Sequence, residues 1–563
     1  MPDIDPQPSS GARRRLQGAW ARILIQQENS GEPGTGTGIG TGSETRRSRY
    51  LSSPDLAPVH PSRRTWKPIN FITFWASASF NVNTWQLAGS FVESGLAWWH
   101  AWLCIWIAYL VTGLLIAAGG HPGAKFSVPF PVAIRSAFGV YGAVWPVFNR
   151  IILAIIWYSV QSWIGGECVY LMLRAIWPSI AHLPNHIAAS MQTDSGHMLA
   201  FFVFCFFQLF ALWLPIEKTR HLYSVKAIAA IIAGVLFAVW VALKAGRGPG
   251  LVMTGKSSIH GASLFWALLS AFMSSLNNWS TFILNDSDFS RFARKPSDAI
   301  WSQMVALPLC FSLTSLIGLV VSSCSANIYG APLWNPLDVL SRFLDSQPSS
   351  SSRAGVFFLG LVFAYAQGLT NLACANSAGS DLTALFSRVI NIRRGGYLTA
   401  ALSLCCMPWL LLSSSNNFLS YVNSYSVFIS AFVGPYFCDY FIIRRTRLAI
   451  PELYSGAHDG LYWGWKGFGV NGCLAYLSGV AFNIVGFVGA IGASVPAGAD
   501  YLFRFNFIGG FLVSATAYYC LSVFGPFRIS KPAISPRSST SGSGAMEVPD
   551  VHDIKLFSHS ASV

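Results

Sequence analysis

Long apolar runs of about 20 residues recur between positions 69 and 526, which is the length needed to cross a bilayer as a helix. The pattern gives about twelve spans, at 69–92, 96–118, 144–173, 198–215, 224–244, 263–285, 300–323, 355–377, 397–413, 418–442, 469–492 and 506–526. The fold class expected is an all-α polytopic membrane protein. Residues 1–65 and 531–563 are rich in Gly, Ser, Pro and Arg and read as disordered tails around a transmembrane domain over 66–530. The first apolar run starts behind a polar, basic leader, so no cleavable signal peptide is expected.

Several runs are broken by polar residues, which a bilayer tolerates only where they are paired or functional. The first reads Phe80-Asn81-Val82-Asn83-Thr84-Trp85 and the sixth Ser274-Ser275-Leu276-Asn277-Asn278-Trp279. They sit five spans apart, the arrangement of broken helices in transporters built from inverted repeats; helix–helix hydrogen bonding is the plainer alternative. In the third span Trp157 and Gln161, four apart, share a helical face. An indole can stack on a flat ring and a carboxamide can both donate to it and accept from it. Gln367, Thr370, Asn371 and Asn376 form a polar set in the eighth span. Glu167 is an acid deep in the third span and a candidate proton relay, or a structural hydrogen-bonding group. Asp286 and Asp288 close the sixth span beside Arg291, as a gate or ion pair.

Composition agrees with the bilayer as solvent: 53% of residues are hydrophobic and 11% charged, against about 25% charged in soluble domains. The net charge of +14 reflects topology. About 30 of the 37 Lys and Arg fall on the side of the two tails, which predicts cytoplasmic termini. These charges lie in tails and short loops, so no nucleic-acid partner is expected. The eleven Cys fall mostly inside apolar runs, with no CxxC or HExxH, so neither a disulfide framework nor a metal site is expected. No cofactor is expected, and a membrane enzyme would need a metal set or an activated nucleophile that the spacing of His121, His182 and His186 does not offer.

The chain resembles the nucleobase–cation symporter family 1, in its fungal Fur-type branch of uracil, uridine and allantoin permeases. The runs that carry the resemblance are WPVFNR at 145–150, WYSVQSWIGG at 157–166, RAIWPS at 174–179, NDSDFSRFARKP at 285–296, WNPLDVL at 334–340, NIRRGGY at 391–397 and SSSNNF at 413–418. The resemblance implies a LeuT-like five-plus-five inverted repeat plus two extra helices, alternating access about a midplane site, and a plasma-membrane address. It implies substrate binding by Trp157, Gln161, Asn81, Asn278 and Trp279, and by Asn371 or Asn376, whose register differs from the family pattern. Ser159 stands where the family usually has Gly and is expected to narrow the pocket. Thr370 matches a hydroxyl of the sodium site in a sodium-coupled relative. Leu369 holds the other hydroxyl's position and cannot ligate a hard cation. That favours a proton as the co-transported ion, with Glu167, Thr370 and Asp288 as candidate coupling residues. The expected activity is proton-coupled uptake of a nucleobase-like solute. The alternatives are a thiamine-, cytosine- or purine-type carrier of the same family, or a sensor that binds without transporting.

Overall fold

The computed structural model describes residues 51, 55–214, 216–246, 257–346, 349–386 and 389–526, of which 216–220 by backbone alone. The tail expectations for 1–50 and 531–563 lie outside the described residues. Residues 55–65, inside the expected N-terminal tail, are described and pack on the domain: Val59 N–H donates to the Ser127 carbonyl, and the Leu56 carbonyl accepts from the Tyr454 hydroxyl.

Among the described residues, eight helices are long and apolar enough to cross a membrane. They include α3 (Trp98–Phe126), α4 (Val144–Ile176), α6 (Ile216–Ala245), α9 (Pro296–Tyr329) and α11 (Ser350–Leu385), followed by α13 (Ser415–Phe437), α14 (Val470–Ala490) and α15 (Asn506–Val523). The other expected spans fall on shorter helices. α5 (Ser195–Ala211) and α12 (Ile392–Ser403) are the fourth and ninth. The first span is split into α1 (Pro68–Ser79) and α2 (Val82–Glu93), and the sixth into α7 (Gly261–Asn278) and α8 (Thr281–Ser290). A short helix α10 (Pro336–Ser346) lies between the seventh and eighth spans.

The helices form two interlocked groups with a third beside them. Spans one, two, six and seven pack together, with α9 against α1, α2 and α3 and α8 against α3. Spans three, four, eight and nine form the second group, in which α4 lies along α11. α6 touches both groups, and α13 packs with α14 and α15. Where α3 crosses α8 the backbones meet: a Cβ on Gly119 would run into the Ile283 carbonyl oxygen. Ser287 and Ser290 donate to the carbonyls of Gly119 and Gly120 at 2.9 and 2.7 Å.

Both helix breaks have a local cause. At Asn81 the backbone is extended, and the side chain caps α2 by accepting from Thr84 N–H at 2.9 Å. Its amide donates back to the Ala78 carbonyl at 2.6 Å, so one residue satisfies groups on both sides of the gap. At the second break Trp279 leaves helical geometry, and the freed Asn277 carbonyl accepts from the Ser280 and Tyr425 hydroxyls.

Candidate functional site

The two breaks face each other. Asn83, the second residue of α2, donates to the Asn278 carboxamide at 3.1 Å, and Asn278 donates to the Tyr109 hydroxyl at 3.4 Å. Beside this junction lies a cavity of about 860 Å³ including its opening, walled by helices of spans one, three, five, six, eight and ten. Of the residues expected at the site, Trp157, Gln161, Asn278, Trp279 and Thr370 line it. Asn83, Asn285 and Lys226 line it too.

The aromatic wall is built from edges and faces. Trp157 is buried, with Tyr421 and Tyr425 at 5.5 and 5.9 Å between ring centroids. Trp279 is buried against Phe282 and Phe311 at 4.8 and 4.7 Å. These contacts hold two indoles at the cavity in fixed orientations. The polar side is equally fixed. Gln367, fully buried on α11, donates to the Gln161 carbonyl oxygen at 2.9 Å. That leaves the Gln161 NH₂ group with no partner among the described residues, at the cavity wall. The Asn285 carbonyl oxygen and the Trp279 indole N–H are buried and have no partner among the described residues. A ring bearing N–H and C=O groups would supply what these atoms lack.

Other expected residues are placed elsewhere. Asn81 is consumed in capping α2. Asn371 is fully buried and donates to Ser162 at 2.8 Å, tying α11 to α4. Asn376 is half-buried and does not line the cavity, where Ser377 is found instead. Ser159 donates to the Ser403 carbonyl at 2.7 Å, so it faces α12 and does not narrow the pocket. Asp288 lies below the cavity floor, where the Arg150 guanidinium reaches its Oδ2 at 2.5 Å and Asp381 at 2.9 Å. Arg150 also donates to the Leu284 carbonyl at 3.0 Å and lies over the Phe130 ring. One cation thereby ties α4 to α8 and α11.

Two residues outside the expected site are part of the geometry. Lys226 on α6, 1% exposed, donates to the Thr370 hydroxyl at 2.9 Å, and Thr370 in turn donates to the Ala366 carbonyl. Beside them the Leu369 side chain packs in an apolar cluster with Tyr158 and Leu212. Gln367 is the other. Its signal is its place in the polar set of the eighth span, but periodicity does not tell which neighbour it meets.

Glu167 lies apart, in a second cavity of about 720 Å³ including its opening. His197 stands between two acids there, its Nδ1 2.8 Å from Asp194 and its Nε2 3.5 Å from Glu167. Asp338 of α10 also lines this space, and burial pushes its carboxyl up to about 6.

Comparison with known proteins follows the same lines. A family described as "Permease for cytosine/purines, uracil, thiamine, allantoin" matches residues 58–510. The uridine permease of Saccharomyces cerevisiae is 39% identical over 497 residues, covering 86% of this chain and 76% of its own. The allantoin permease of the same yeast is 38% identical, covering 85% and 76%. Among solved structures, a nucleobase-cation-symport-1 family transporter in a closed conformation with bromovinylhydantoin bound superposes with a TM-score of 0.68. It is 20% identical and covers 84% of this chain and 96% of its own. That likeness gives the fold: the LeuT-like repeat of five and five spans, with two more after it.

Proposed function

The chain belongs to the family of permeases for cytosine and purines, uracil, thiamine and allantoin, and from that premise we propose that it takes up a uracil-, uridine- or allantoin-like solute together with a proton. A membrane transporter of nucleobase-type solutes is what the family and the fold make it; the solute and the ion are our reading. The proposed binding site is the cavity at Trp157, with the ring stacked on indole and met by the Gln161 amide. The basic face, where Arg291, Arg294, Arg393 and Arg444 cluster, is read as cytoplasmic, with the membrane taken to be the plasma membrane.

The observation that carries the proton reading is the Lys226–Thr370 contact. Thr370 is the hydroxyl expected at a cation site. A lysine amine bonds to it, and a Leu fills the neighbouring position. An amine can release and recover a proton during a transport cycle; it leaves no oxygen cage for sodium. The alternating arrangement is supported by the cavity's extent, from Trp157 down to Arg150 and Ser377.

The test is uptake of labelled uracil, uridine and allantoin by cells making the chain, with and without a proton uncoupler. Accumulation that the uncoupler abolishes is expected. Accumulation indifferent to the uncoupler would remove the proton, and no uptake of any of the three would remove the solute class.

A further inference from the structure

The second cavity has no part in the site just proposed, yet it shares two helices with it. Gln161 and Glu167 are six residues apart on α4, about 9 Å along the axis, and Asn83 and Gln86 one turn apart on α2. The cavities are therefore stacked along the direction of transport. The second is completed by Gln192, Thr193 and Asp194, by Trp334, Asn335 and Asp338, and by Trp409, Leu412 and Ser413, all in connections between spans on the face opposite the basic one.

Its walls repeat the chemistry of the first. Trp163, Trp334 and Trp409 line it, each 7–8% exposed, with the Trp163 and Trp409 rings 5.7 Å apart. The Trp409 indole N–H is buried with no partner among the described residues. The Gln86 amide donates to Asn335 at 3.1 Å and Asn335 donates to Asp338 at 2.9 Å, a chain that fixes Gln86 and leaves its carbonyl oxygen buried and unpaired. His197 holds one oxygen of Glu167, and the other is also unpaired. One indole N–H, the Thr193 hydroxyl and two acceptor oxygens thus remain open beside three indoles. Water can meet such polar atoms but gains nothing from the aromatic faces; a flat ring meets both.

We propose that this cavity is a docking station for the transported solute on the opposite face, taking a planar ring whose edge carries adjacent N–H and C=O groups before it passes to Trp157. This inference rests on the uptake reading above.

The test uses the full chain in cells and whichever of uracil, uridine or allantoin the wild type accumulates. Trp409→Phe keeps the ring and removes the N–H; Gln86→Leu removes the acceptor. Each is expected to raise KM about 10-fold with the maximal rate, corrected for the amount of chain at the membrane, kept within about two-fold. An unchanged KM overturns the station, whether or not the maximal rate falls, since a rate loss alone is what damaged packing would give. A shifted external pH profile at unchanged KM overturns it as well and leaves the cavity to protons. Should Gln86→Leu fail to reach the membrane, Trp409→Phe decides. A wild type that accumulates none of the three solutes removes the uptake reading and the station with it, a failure seen before any variant is made.

Discussion

Lys226 of α6 reaches across to α11 and donates to the Thr370 hydroxyl at 2.9 Å, at the edge of the cavity that Trp157 lines. If this amine carries the coupled proton, Lys226→Met removes the carrier and Lys226→Arg replaces it with a group that does not release its proton. Both variants are expected to lose accumulation driven by a pH gradient in sealed vesicles, with solute exchange down its own gradient retained. Gradient-driven accumulation in both would contradict the role.

The Gln161 amide is expected to bond the ring, and Gln367 to aim it. Gln161→Ala strands a polar group of the solute, at about 1–3 kcal/mol, or roughly 5- to 150-fold in affinity. Gln367→Leu leaves Gln161 in place but free to turn, so a smaller loss of a few-fold is expected. Competition uptake assays measure both; a Gln367→Leu effect as large as that of Gln161→Ala would contradict the division of roles.

Arg150 lines the cavity and is paired with Asp288 and Asp381, and all three side chains are buried. Removing one partner of such a set leaves uncompensated charge, with a cost of about 3–5 kcal/mol. Arg150→Ala is expected to lower the melting temperature of the purified chain sharply. Arg150→Lys should rescue little, because a single ammonium does not reproduce the forked contacts to both acids and the Leu284 carbonyl. A melting temperature unchanged in both would contradict the arrangement.

Ser159 faces α12, so Ser159→Gly is expected to leave the solute preference unchanged and to cost about 1 kcal/mol of stability through the lost bond to Ser403. A changed rank order among uracil, uridine and allantoin would contradict that placement.

The spans, the two breaks and the indole–carboxamide pair were legible because a bilayer makes polar residues conspicuous. Asn81 and Asn278 stood out among apolar neighbours, and the structure puts each at a helix break. What the residues do there was less legible. Asn81 and Asn278 look alike in sequence, but one is turned into a cap and the other into the cavity wall, which depends on backbone angles at the break. On α11, Asn371 and Gln367 turn to α4, because a long helix packed along another buries its polar stripe in that contact. Lys226 escaped notice because a lysine in the first turns of an apolar run reads as an interface anchor. Only the packing of α6 against α11 shows it to be buried.

The central claim is that a flat polar ring sits between Trp157 and the Gln161 amide. The most direct measurement is an experimental structure of the full chain with the accumulated solute bound, paired with the same preparation of Trp157→Ala. The account predicts ring density stacked on the Trp157 indole, within hydrogen-bonding distance of the Gln161 NH₂, and no ring density there in the variant. Density that leaves the Trp157 cavity empty, or an undiminished ring in Trp157→Ala, would contradict it.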